Sequence, residues 1–178
     1  MPVKKTGEML RIIPFGKVRE DTLAQLGNSL TTLFPLDYEI MPSVKIPWHA
    51  YDAGRKKYQA SALLHKLNED APPGTRPLGV TECDLFASRG NFIFGESDMV
   101  LGVAVISITR FRQEWYGLPP DNKLLLHRAV SEAMHQLGHT YGLHKCSNPY
   151  CAMYPTHSVA EIDRRGTQFC FNCQRQLN

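Results

Sequence analysis

No apolar run in these 178 residues is long enough to span a bilayer, which excludes a transmembrane helix and a membrane partner. Charge of one sign is scarce as well. Twenty Lys and Arg against 17 Asp and Glu leave +3, too little to mark a nucleic-acid surface. The chain has no internal repeat and no low-complexity stretch. Its first residues, MPVKKTGEMLRIIPFG, include a few basic side chains. They lack the apolar core of about 7–15 residues and the small-residue cleavage site of a secretory signal. The expectation is a cytoplasmic protein forming one domain over 1–178, with cysteines kept as reduced thiols.

What is present reads as an α/β chain. LRIIPFG (10–16) predicts a strand and DTLAQLGNSLTTLF (21–34) a helix with Asp21 as its N-cap. DYEIMPSV (37–44) predicts a strand running into a loop, and GRKKYQASALLHKLNE (54–69) an amphipathic helix. PLGVTECDLF (77–86) and NFIFG (91–95) predict strands. MVLGVAVISITRF (99–111) predicts a central strand buried on both faces. RQEWYGLPP (112–120) is a loop carrying Trp115 and Tyr116. After Pro120 a long helix runs through MHQLGHTYGL and stops at Gly142.

The chemistry gathers at the end of that helix. His135 and His139 stand four apart, so they share a helix face with Cβ atoms roughly 5–6 Å apart. Two neutral imidazoles so placed can reach one zinc ion. The alternative is a pair of ordinary helix histidines. Cys146, Cys151, Cys170 and Cys173 fall within the last 33 residues as Cys-x4-Cys and Cys-x2-Cys. Four thiolates make a closed, structural zinc site. Disulfides are the alternative and suit an oxidising compartment. A filled site would staple CFNCQRQLN beneath the long helix, making a zinc knuckle within 146–173. Cys83, alone in TECDLF, reads as a small buried apolar residue.

His135, His139, Gly142, Cys146, Cys151, Met153, Cys170 and Cys173 together resemble the motif His-Glu-x-x-His-x-x-Gly-x-x-His-Cys-x4-Cys-x-Met…Cys-x-x-Cys of the archaemetzincins, a branch of the metzincin zinc peptidases. The likeness covers roughly residues 77 to 173. It implies a twisted mixed sheet packed on helices, with the long helix carrying the first two ligands of a catalytic-type zinc. It implies Met153 as the Met-turn residue under the histidines. It implies peptide-bond hydrolysis by zinc-activated water, on a peptide or protein segment held in extended conformation against the edge of the strand preceding the helix. Trp115 and Tyr116 either flank that cleft or simply pack their loop.

Two positions depart from the motif. Gln136 holds the general-base place, where a carboxylate moves the proton from the attacking water to the leaving amine. An amide has no such basicity. Glu132, one turn earlier, reads as a helix-surface carboxylate too distant to substitute. Lys145 holds the third-ligand place, and an ammonium offers a metal no lone pair. His144, one residue off, and His157, four past Met153, are the other conceivable donors. The expectation is a zinc-peptidase scaffold with one structural Zn2+ on the thiolates, a second site weakened or empty, and weak or no turnover. The alternative is a pseudopeptidase that binds peptide segments and cuts nothing. A cysteine-zinc module for nucleic acid ranks last, because Arg164 and Arg165 are the one basic pair near the knuckle and no aromatic stripe accompanies them.

Overall fold

Burial along the first strand alternates, and that alternation sets the layers. In β1 (Met9–Phe15), Leu10 and Ile12 are buried in one hydrophobic cluster while Ile13 and Phe15 are buried in another. Successive strand side chains point to opposite faces, so β1 is covered on both sides. The structure is a computed structural model describing residues 8–88 and 90–177.

The chain continues through α1 (Glu20–Leu33), β2 (Asp37–Ile40), a 3-10 turn, β3 (Tyr51–Asp52), β4 (Lys57–Gln59) and α2 (Ala60–Asp70). It then forms β5 (Thr75–Thr81), β6 (Leu85–Phe86), β7 (Gly95–Asp98), β8 (Val103–Ser107), two 3-10 turns, α3 (Asn122–Thr140), α4 (Val159–Arg164) and α5 (Phe171–Gln176). Five strands make a mixed sheet in the order β2-β1-β5-β8-β7. All neighbours are parallel except β7, which pairs antiparallel with β8 as the outer strand. A small second sheet has the order β3-β4-β6. Helices α1 and α3 share one cluster with Leu10, Ile12, Leu78, Val80, Ala104 and Ile106. Helix α2 shares the other with Ile13, Phe15, Val103 and Val105. Among the described residues no helix is long and apolar enough to cross a membrane.

Several boundaries differ from the sequence-based expectation. The helix expected over 54–69 starts at Ala60, because Lys57–Gln59 is drawn into the small sheet between β3 and β6. The strand expected over 77–86 breaks after Thr81, whose hydroxyl accepts the amide of Cys83 and diverts the chain. Cys83 itself is half-buried, not fully buried. Residues 91–94 precede β7, which begins at Gly95. The strand expected over 99–111 is reduced to five residues. Asp98 Oδ1 accepts the amides of Val100 and Leu101, closing a turn before Val103. Those five residues are all buried between β5 and β7, as expected for a central strand. The edges of this sheet are therefore β2 and β7, and the strand immediately ahead of α3 lies inside it. Asp21 lies in the first turn of α1, bound to the Arg19 guanidinium, and does not cap the helix.

Helix α3 is closed at both ends. Asp121 Oδ1 accepts the Leu124 amide at 2.9 Å, relieving one orphan donor. At the other end Gly142 adopts φ 87°. Its N–H donates to His139 O at 2.9 Å and that of Leu143 to Gly138 O at 3.0 Å. That is the two-bond αL stop for which glycine is favoured.

Candidate metal centre and cleft

The stop after α3 does more than end a helix. The Leu143 carbonyl it turns inward lies 2.8 Å from His139 Nδ1, and the Ala152 carbonyl lies 2.8 Å from His135 Nδ1. A carbonyl oxygen only accepts, so both Nδ1 atoms carry the proton and both Nε2 atoms present lone pairs. Those Nε2 atoms are 3.2 Å apart. Two lone pairs at that separation repel unless a cation lies between them. Two ligands about 2.0–2.1 Å from a tetrahedral zinc stand roughly 3.3–3.4 Å apart, so the pair fits that ion. Burial pushes His135 down to about 4 and also lowers His139, which keeps both rings in the neutral, ligating form.

The third-ligand question has a geometric answer. Among the described residues no other His, Cys, Asp or Glu joins the two histidines within ligand range. Lys145 and His157 both line the cleft in front of them, and His144 is exposed outside it. Lys145 makes no ion pair with any described carboxylate.

The thiolates fit their metal more fully. The four Sγ atoms all lie within 4.8 Å of one another, with Cys146–Cys170 at 3.8 Å and Cys151–Cys173 at 3.7 Å. Sulfurs about 2.3 Å from a tetrahedral zinc stand roughly 3.8 Å apart. The amides of Asn148, Met153 and Cys170 point at these sulfurs from 3.3 to 3.5 Å, the arrangement that stabilises thiolate charge. The four cysteines could therefore hold a zinc ion of structural type. Cys173, on α5, is buried in the same cluster as the core side of α3.

Met153 is fully buried beneath the helix. A Cβ added at Gly138 would lie 2.3 Å from its Sδ and 3.0 Å from Phe169, so glycine at 138 is what lets the turn approach the histidine helix.

A cleft of about 400 Å³ is lined by His135 together with Phe92–Gly95 and Pro155–His157. Gln136 stands on its wall with its amide bonded at both ends. Its Nε2 donates to Glu132 Oε1 at 2.8 Å and its Oε1 accepts from Ser97 Oγ of β7 at 2.9 Å. Glu132 overturns its sequence reading. It is 4 % exposed, lines this cleft, and bonds the Arg165 guanidinium at 2.7 Å. Arg165, 1 % exposed, also donates to Ser131 Oγ and Tyr154 O. Sequence could not find this pair. The partners lie 33 residues apart, and the only signal is that a buried carboxylate requires a cation. It also removes Arg165 from any nucleic-acid surface. Trp115 and Tyr116 sit half-exposed on a 3-10 turn away from the cleft, with Arg110 over the Trp115 ring.

The described sequence model "Peptidase family M54" matches residues 36–178. The archaemetzincin of Pyrococcus furiosus is 40 % identical over 96 % of this chain and 92 % of its own length. The crystal structure of a zinc-dependent peptidase from Methanocorpusculum labreanum superposes with TM-score 0.88 at 28 % identity, covering 95 % of this chain and all of that one. That of the archaemetzincin from Methanopyrus kandleri gives 0.85 at 32 % identity, covering 98 % and 96 %.

Proposed function

The chain belongs to peptidase family M54, the archaemetzincin zinc metallopeptidases, and from that premise we propose that it binds extended peptide segments in the cleft over His135 and His139 and turns them over weakly or not at all. The observation that carries this reading is the engagement of Gln136. Both polar ends of its amide are spent on Ser97 and Glu132, and neither can take a proton from water. The nearest carboxylate, Glu132, is held by Arg165 and by that same amide. General acid–base help is worth about 10²–10⁴-fold, or roughly 3–5 kcal/mol of barrier.

His135 and His139 would hold a zinc ion, which in peptidases supplies an activated water and polarises the scissile carbonyl. Catalytic zinc takes three protein ligands, and here the third place falls to the unpaired ammonium of Lys145. An ammonium beside the ion weakens binding through like-charge repulsion. The thiolate site would be filled first and serve structure. Met153 forms the apolar floor. A peptide would lie antiparallel or parallel along the free edge of β7, the strand that Ser97 ties to Gln136. The chain's own residues thus bind and orient a segment, and lack the group that moves the proton.

The test compares the unmodified chain with the double variant Gln136→Glu, Lys145→His, measuring zinc per chain and cleavage of a peptide library. The expected outcome is about one tight zinc and negligible turnover for the unmodified chain, and a gain of metal and activity for the variant. Two tight zinc ions together with turnover in the unmodified chain would overturn the reading in favour of a working peptidase.

A further inference from the structure

The tripeptide Cys151-Ala152-Met153 belongs to both candidate metal centres at once. Cys151 contributes a sulfur to the thiolate cluster. The next residue turns its carbonyl to His135 Nδ1 at 2.8 Å. The next places Met153 Sδ against Gly138, between the two histidines on the helix. Every backbone polar group of the three is committed. Cys151 N donates to Asn148 O and its carbonyl accepts from Tyr154 N. Ala152 N donates to Gln168 O, two residues before Cys170. Met153 N points at Cys151 Sγ, and Met153 O accepts from Cys146 N.

We propose that filling the thiolate site pre-orients His135 through the Ala152 carbonyl, so that the two metal sites are positively coupled and the thiolate site loads first. Ala152 is the positioning residue, acting through His135. The physical reason is that a loop with few alternative partners has two states. With the sulfurs clamped, Ala152 O is fixed where it selects the Nδ1–H tautomer and aims Nε2 at its partner. With the sulfurs unclamped, the tripeptide that carries this carbonyl loses its anchor through Cys151. Coupling of this kind is reciprocal in free energy, so a formed His135–Ala152 bond must in turn hold the thiolate zinc more tightly. The inference stands whether or not the chain cleaves peptides.

Two readouts test it. With 15N-labelled metal-free chain, the first equivalent of zinc should slow solvent exchange of the His135 Nδ1–H before any second equivalent is added. With one zinc bound, transfer of that zinc to a chromophoric chelator should be several-fold faster in His135→Phe, which keeps the ring's bulk and loses the donor. In His139→Phe, which leaves the Ala152 contact intact, transfer should match the unmodified chain. Circular dichroism confirms that both variants fold. If His135→Phe releases zinc no faster than His139→Phe, or the Nδ1–H ignores the first zinc, the coupling is wrong.

Discussion

At the residue scale, Glu132 holds its charge in a buried place because of its neighbours. Burial pushes its carboxyl up, but the Arg165 guanidinium and the Gln136 amide pull harder and leave it below the usual range. Removing one member of such a pair strands the other. Arg165→Ala should therefore destabilise the fold by about 3–5 kcal/mol, read as a shifted urea midpoint with unchanged slope. Replacing both members, as in Glu132→Gln with Arg165→Met, should recover much of that loss. Equal damage from the single and double changes would contradict the pairing. The legible residues were those whose spacing points to a shared ion: His135 and His139 four apart on a helix, and two cysteine pairs with 18 residues between them. Glu132 was misread because nothing near it in sequence announces Arg165.

At the element scale, α3 works as a rail with a stop at each end. Its approach to the turn below depends on Gly138. Gly138→Ala would force Met153 aside from a 2.3 Å contact, an overpacking that costs typically 1–3 kcal/mol. The loss should appear as a lowered urea midpoint with unchanged slope. An unshifted midpoint would show that the contact is slack. Helix α3 was readable from apolar spacing plus Gly142. The strands around the cleft were not. A Val/Ile-rich run carries no mark of where the Asp98 turn cuts it, and β7, GESD, has no hydrophobic pattern because it is the half-exposed outer strand. The strand ahead of the helix, expected to offer a free edge, is β8 in the sheet interior.

At the scale of the whole molecule, both faces of the mixed sheet are covered by apolar helices, and the metal knuckle closes only one end. Cys151 and Cys173 are nonetheless buried within the larger cluster, so emptying their site exposes part of the core. A strong chelator should lower the melting temperature, since a ligand bound only to the folded state stabilises it by mass action. An unchanged melting curve in a zinc-depleted sample would remove the structural role from the cysteines.

The family frame and its two departures together predict one strongly held ion and one weakly held or missing. Anomalous difference density collected at the zinc absorption edge reads both places in a single crystal. A full peak amid Cys146, Cys151, Cys170 and Cys173, with a weak peak or none between His135 and His139, is the expected result. Two full peaks, the second completed by Lys145 or His157 as a third ligand, would contradict the account.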